Sequence, residues 1–363
     1  MIGAIKKIIV NILSAINVIV GGLLLLSGYG DRINPVDHEL LACAGMLLPV
    51  MALLNMAFIP VWVFFAWRRL WIPVVFFALA YVPIRIYMPL NGRSEPPEGA
   101  IRIVSWNVCG FGGNHKYDHA LDSVLNYVVR EQADIVCLQE DMNKPNILEA
   151  FAQVFPYNDT TRISKPSYPM VNAVGLHSRF PILRKEPIDY DSEVNGSVAY
   201  YLLIGRDTVL LINNHLESTH LSINDRERYN QLIKGHMARD TVQAETKTLF
   251  KILGKSMAMR ASHAEAIHDY IEQHRQYPTI VCGDFNDTPV SYARHTIAKG
   301  LTDCYVETGR GPGISFNKKE FSFRIDHLLV SEHFTPYGCK IDSENDVSDH
   351  YPLLCWLKIA DNP

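Results

Sequence analysis

Three long apolar stretches occupy the first ninety residues and then stop, at roughly 8–28, 40–67 and 71–90. The first, from Ile8 to Leu26, carries no charge and is long enough to cross a hydrocarbon core, which takes about 20 helical residues. The second is interrupted by Pro49, Asn55 and Pro60. The third contains Pro73 and Pro83 and has Arg85 near its far end, where the side chain can snorkel. A cleaved signal peptide would account for the first stretch alone, and no small-x-small cleavage site stands before Asp31. Three such runs side by side predict a transmembrane region of about three helices over residues 1–90, in preference to buried helices of a soluble domain.

Lys6 and Lys7 precede the first span, and Arg68 and Arg69 fill the turn between the second and third. The loop between the first two holds Arg32 but also Asp31, Asp37 and Glu39. Positive residues stay inside, so the N-terminus and the arginine pair are expected inside and everything after residue 90 outside. That makes a multi-pass membrane protein with its soluble part on the periplasmic or extracellular face. Residues 91–100 (NGRSEPPEGA) read as a linker, since helix cannot continue through its prolines.

Charge then separates the two parts. Residues 1–90 hold six Lys/Arg and three Asp/Glu; taking these from the chain's 34 basic and 38 acidic residues leaves 28 and 35 for residues 91–363. An acidic soluble part argues against holding long nucleic acid by backbone neutralisation. Six of the seven cysteines fall in that part, where no C-x-x-C pair suggests a metal or redox site and no disulfide pairing is readable.

From residue 101 the pattern changes to short strands with few helices between them. Strands are expected at Ile101–Asn107, Ala133–Leu138, Ala173–Ser178, Ala199–Ile204, Val209–Asn213, Thr279–Cys282, Arg324–Val330 and Leu353–Ile359, with a helix over Asp118–Arg130. Such a set suggests an α/β fold of two packed sheets with helices outside.

Polar residues recur at the ends of these strands: Asn107, Gln139 and Glu140, Asn213 and His215, Asp284 and Asn286, Asp326, and Asp349 with His350. Each alone has a plain structural reading as a turn former or helix start. Together they offer carboxylates, amides and histidines, the groups that a hard cation and acid–base chemistry on a phosphate require.

The ordered series SWNV, LQE, NNHLES, GDFN, RIDHLLV and SDHYPL resembles the endonuclease/exonuclease/phosphatase, or DNase I-like, superfamily over residues 101–359. That resemblance implies a four-layered α/β sandwich over residues 101–360, two mainly antiparallel sheets flanked by helices, and metal-dependent phosphoester hydrolysis. It implies Mg²⁺, with Mn²⁺ as a substitute, on Glu140, with Asn107 and Asp349 close to the same ion. It further implies that Asp284, helped by Asn286, orients or deprotonates the attacking water. His350 would bind the scissile phosphate with Asp326 fixing its ring, and His215 would be a second phosphate contact or help the leaving oxygen depart.

Three nearby residues carry weaker signals. His177, in GLHSRFP, stands where that family more often has an aliphatic residue and reads as packing or surface. Cys109 and His327 read as structural.

Between His215 and Asp284 a charged stretch, about Thr219 to His274, reads as two amphipathic helices. Asn224 or Asp225 is expected to cap the first, and Gly254 to interrupt the second. Met257, Arg260, Ala264, Ile267 and Ile271 form one stripe in which Arg260 is the odd member. Most of the stretch reads as a helix packed on a sheet; the sharper expectation is that Arg260, or Lys251 and Lys255, reaches a substrate phosphate. The substrate classes left open are a lipid head group or small phosphoester and a nucleic acid. A non-catalytic membrane-bound binding module is the reading from a different class, and no protein partner is implied. A transporter built on three spans lacks a repeated intramembrane polar pattern.

Overall fold

The computed structural model describes residues 2–112, 119–219, 227–228, 231, 239–318 and 321–360. Asn224, Asp225 and most of the first helix expected after Thr219 lie outside the described residues.

The N-terminal region consists of α1 (Ile2–Tyr29), the short α2 (Glu39–Ala42), α3 (Leu48–Phe65), α4 (Trp71–Leu79) and α5 (Tyr81–Tyr87). Two stretches, Gly3–Arg32 and Glu39–Phe65, are long and apolar enough to cross a membrane. The pair α4 and α5, bent by 61°, makes a third if counted as one span. The bend follows from Pro83, which has no N–H for the Leu79 carbonyl; the Tyr29 hydroxyl donates to that oxygen instead, at 2.7 Å. Burial is inverted relative to a helix of a soluble protein. Ile8, Ile12, Ile19, Leu53 and Phe64 are exposed, whereas Asn17 and Asn55 are buried. Asn17 donates to Asn55 Oδ1 (3.0 Å), Asn55 to the Pro73 carbonyl (3.1 Å) and Trp62 Nε1 to Asn17 Oδ1 (2.8 Å). This polar knot ties α1, α3 and α4 together.

The remainder is a two-sheet sandwich, as the strand pattern predicts. One sheet has the order β13 (Phe334–Ile341), β14 (Leu353–Ile359), β1 (Ile101–Asn107), β2 (Ile135–Gln139), β4 (Ala173–Ser178), β3 (Tyr157–Arg162). The other runs β5 (Ile182–Ile188), β6 (Gly196–Ile204), β7 (Asp207–His215), β8 (Thr279–Asp284), β12 (Asp326–Val330), β9 (Thr302–Asp303). A small hairpin, β10 (Phe316–Lys318) and β11 (Phe321–Phe323), stands apart. Ile103, Cys137, Leu176, Val198, Leu211, Cys282, Leu328 and Leu353 fill the space between the sheets. Helices α6 (Ala120–Arg130) and α7 (Pro145–Ala152) cover the first sheet through Val124, Val128 and Phe151. Helix α8 (Arg239–Gln273) covers the second through Ala264, Ile267 and Ile271. This completes four layers.

Gly254 does not interrupt a helix: α8 runs through it. Its missing side chain makes room for α2, because a Cβ there would stand 2.8 Å from the Cβ of Glu39. Other contacts seat the N-terminal region on the sandwich. A Cβ on Gly45 would lie 2.5 Å from the Val290 carbonyl. Asn34 donates to Glu265 (3.1 Å), Arg85 pairs with Glu307 (3.0 Å), and the Arg324 guanidinium donates to the Ile86 carbonyl. Residues 91–100 run between the two parts without helix or strand.

Candidate active site

Strand register brings the polar strand ends to one edge. β1 and β2 are parallel, with Asn107 opposite Gln139, so Glu140 emerges beside Asn107. β7 and β8 are likewise parallel, with His215 opposite Asp284. β12 is antiparallel to β8 and starts with Asp326 opposite Asp284. β14 is antiparallel to β1, which returns Asp349 and His350, just before it, to the same edge. Glu140 and Asn286 turn off their strands with φ of 54° and 52°, a left-handed backbone uncommon without glycine and typical of positions where aim matters more than local ease.

Three of these polar residues join the two halves of the site. The Asn107 side-chain nitrogen donates at 3.0 Å to both Glu140 Oε1 and Asp284 Oδ2. Its oxygen accepts from the Cys109 backbone N–H (3.0 Å), which fixes the orientation of the amide. Gln139 and Asn213 lie beneath. Gln139 donates to Asn213 Oδ1 at 2.7 Å, and Asn213 donates to the Leu138 and Gly175 carbonyls at 3.1 and 3.0 Å. These buried amides clamp the sheets together and do not face the cleft.

His350 lies with Nδ1 2.8 Å from Asp326 Oδ2 and Nε2 3.6 Å from Asp284 Oδ2. Burial alone would lower its pKa, but the carboxylates of Asp326 and Asp284 outweigh that and hold it up at about 10. The ring is thus an imidazolium at neutral pH. Burial pushes Asp284 up to about 6 against the pull of His350, with Asp326 pushing the same way as burial. Asp284 Oδ1 also accepts the Asn286 backbone N–H at 2.7 Å, and the Asn286 side chain donates to the Leu216 carbonyl at 2.9 Å. His215 is held at Nδ1 by Asn172 (3.1 Å), whose NH₂ also donates to the Val194 carbonyl (3.0 Å), so Nδ1 is the acceptor and Nε2 carries the proton. That Nε2 is buried without a partner, 3.8 Å from both Glu140 Oε1 and Asp284 Oδ2.

The Glu140 and Asp349 side fits a hard divalent cation. Burial, and then the charge of Asp349, raise the pKa of Glu140. Among the described residues, the positive charges near Asp349 are His350 and the Lys318 ammonium, which sits on its carboxylate. Partly open, carboxylate-rich oxygen donors with an orphaned N–H nearby suit Mg²⁺-like ions that keep several waters. Asp284, Asp326 and His350 also bring three potential ligand atoms within 4.8 Å of one another. Within that group His350 Nδ1 faces Asp326 at 2.8 Å, and its other ring nitrogen, Nε2, stands 3.6 Å from Asp284 Oδ2.

Sequence reasoning missed Lys318 and Asn172. The first comes from a hairpin of two three-residue strands with no readable pattern. The second directly precedes β4 on the functional edge, the same kind of signal that marks Asp326. Arg260 is buried, with Nε 3.0 Å from Asp287 Oδ2 and Nη1 donating to the Glu217 carbonyl at 2.9 Å; it lines the cleft. Lys251 and Lys255 are exposed on α8. His177 is buried and stacked on Phe151 at 3.8 Å, and burial pulls its pKa down to about 3. His327 packs against Phe285. Cys109 lines the cleft, its thiol pushed up to about 12, first by burial and then by Asp349.

A family model described as the Endonuclease/Exonuclease/phosphatase family matches residues 104–350. A second, described as a domain of unknown function, matches residues 7–87. The search of curated proteins gives no match. Among solved structures, the human Nocturnin catalytic domain with bound sulfate is similar at a TM-score of 0.53 and 17% identity, covering 74% of this chain and 100% of that one. Sphingomyelinase C from Streptomyces griseocarneus is similar at 0.50 and 15%, covering 71% and 99%. A mannosyl-6-phosphatase from Bacteroides thetaiotaomicron is similar at 0.50 and 16%, covering 71% and 100%.

Proposed function

Because the chain belongs to the endonuclease/exonuclease/phosphatase family, whose members hydrolyse phosphoesters, we propose that it is a membrane-tethered, Mg²⁺-dependent phosphodiesterase or phosphomonoesterase. The observation that carries this reading is the convergence of Glu140, Asp349, Asp284, His350 and His215 on one cleft. Residues 1–90 would be the membrane region, 91–100 the connection, and 101–360 the catalytic domain. Orientation follows Lys6, Lys7, Arg68 and Arg69, which put the catalytic domain on the outer face.

Mg²⁺, or Mn²⁺ in its place, would be held by Glu140 and Asp349 with Asn107 beside them, and would supply Lewis-acid polarisation of a phosphate oxygen. Asp284, with its pKa near 6, takes the proton of the attacking water at neutral pH, while the Asn286 oxygen orients that water. The His350 imidazolium holds a phosphate oxygen and meets the negative charge that grows on it, and Asp326 keeps the ring charged and aimed. His215 Nε2–H donates to the phosphate or to the departing oxygen. Arg260, already committed to Asp287 and the Glu217 carbonyl, adds positive potential to the cleft wall.

The reading is tested on the full chain in detergent, with Mg²⁺ and a panel of bis-p-nitrophenyl phosphate, phospholipids, inositol phosphates and plasmid DNA. Mg²⁺-dependent cleavage that disappears with chelator and in Glu140→Ala is the expected result. Near-normal turnover by Glu140→Ala would sink the assignment. A reporter fused after residue 363 that reads as cytoplasmic would reverse the orientation.

A further inference from the structure

The cleft is lined by two chemically different sets of side chains. Its floor carries Glu140, Asp284, Asp349 and His350, and its volume is about 310 Å³. The same cleft is also lined by Met46, Leu253, Met257, Phe316, Phe323 and Ile325, with the Phe316 ring 5.0 Å from that of His350. Leu253, Met257 and Ile325 are buried residues of the sandwich, and the two phenylalanines come from the β10–β11 hairpin. Met46 belongs to neither. It lies in the turn Cys43–Leu47 that leads directly into α3, within the stretch Glu39–Phe65 apolar enough to cross a membrane. The turn is fixed in place, since Cys43 and Met257 meet sulfur to sulfur at 3.8 Å and Met46 packs against the same cluster.

Two thioethers, two aliphatic chains and two phenyl rings, set beside the polar Ser218, Thr219, Thr288 and Arg260, give the lining an apolar share that fits hydrocarbon of irregular shape. Among the described residues, the cations that line the cleft, Arg260, Lys318 and His350, are paired with Asp287, Asp349 and Asp326. No unpaired basic side chain among the described residues lines the cleft to follow a nucleic-acid backbone. A residue at the head of a membrane helix would therefore share one cleft with the phosphate-handling groups.

We propose that the substrate is an amphiphilic phosphoester resident in the bilayer. Its phosphate lies on the Glu140 and His350 floor, and its hydrocarbon part lies along Met46, Leu253, Met257 and the hairpin phenylalanines. The N-terminal helices then do more than tether: they complete the substrate site. This rests on the phosphoester reading above and narrows it to one substrate class.

The test uses the full chain in mixed micelles with Mg²⁺ and two matched probes, 4-nitrophenyl ethyl phosphate and 4-nitrophenyl hexadecyl phosphate. In both, water adds at phosphorus, the P–O bond to the nitrophenyl group breaks and nitrophenolate leaves, so one absorbance follows both reactions. The long-chain ester should be preferred in kcat/KM by at least about tenfold, the worth of roughly two methylenes withdrawn from water. Met46→Asp should bring that ratio to within about twofold of one, and Met46→Ala, the milder change, should lower it part of the way. A ratio near one in the unmodified protein overturns the proposal and keeps the phosphoesterase. So does a preference that survives both substitutions, because sharing a micelle with the probe would then explain it. If neither ester is hydrolysed, this proposal is overturned, and the panel described above then decides whether the phosphoesterase reading falls with it.

Discussion

With Nδ1 held by Asp326 and Nε2 facing Asp284, His350 should stay protonated to about pH 10, while Asp284 ionises near 6. If Asp284 acts as the base and His350 as the cation, kcat/KM rises as pH passes the lower value and falls near the upper one. A bound cation favours the carboxylate, so the acid limb lies at or below about 6. Asp326→Asn removes the largest influence raising the His350 pKa and should move the alkaline limb toward neutrality. A limb that stays put identifies a different group. The same pair sets a stability trend. The His350 pKa is raised from 6.5, so its contribution is fully present below 6.5 and is lost as pH climbs through about 10. Thermal midpoints between pH 7 and 10 should therefore fall, and fall less in Asp326→Asn. Asp284→Asn should cost about 10²–10⁴ in kcat while the protein stays folded, as read by circular dichroism.

At the scale of elements, glycine decides how the two parts meet. A Cβ at Gly45 would press on the backbone of Val290, which cannot swing away as a side-chain tip would. Gly45→Ala should cost about 1–3 kcal/mol in thermal or denaturant unfolding of the full chain, whereas Gly22→Ala, with open space around it, should be nearly silent. Asn55→Leu strands the Asn17 amide and the Pro73 carbonyl and should cost on the order of 1 kcal/mol. The elements legible in the sequence are those buried on both faces. Ile101–Asn107, Ala173–Ser178 and Leu353–Ile359 are strands with the expected bounds because their apolar runs have no other use. The ones not read are edge or broken strands. β3 is YNDTTR, half-exposed and polar; β5 contains Pro187; β13 contains Pro336 and Gly338 and carries a bulge. The candidate site was legible because parallel pairing makes strand ends coincide. Lys318 was not, since its place depends on how a short hairpin lies over Asp349.

At the scale of the whole molecule the N-terminal helices and the sandwich share a core: Leu24, Leu48 and Ala80 pack with Val290. Cutting the chain before residue 91 would expose that surface, take the Ile86 carbonyl from the buried Arg324, and open one wall of the cleft. A fragment of residues 91–363 should therefore melt lower than the full chain and self-associate on size exclusion. Equal melting and a monomeric profile would show that the seat is incidental. This dependence was not legible in the sequence, where NGRSEPPEGA reads as a spacer between independent parts. Contacts such as Asn34 with Glu265 join residues more than two hundred positions apart, beyond the reach of any local pattern.

The position of β14 between β13 and β1 sets a timetable. Asn107 leaves the ribosome early, but His350, whose carbonyl is gripped by Trp106, follows 244 positions after that tryptophan. At about 5–20 residues per second, that is roughly ten to fifty seconds of synthesis. During that interval the apolar helices are already available for insertion while the sheet edge that would hold a phosphate lacks Asp349 and His350. On the proposed reading, a nascent or prematurely terminated chain would carry the apolar helices without two of the groups proposed for the reaction, and cleavage would begin only after the polypeptide had reached its place.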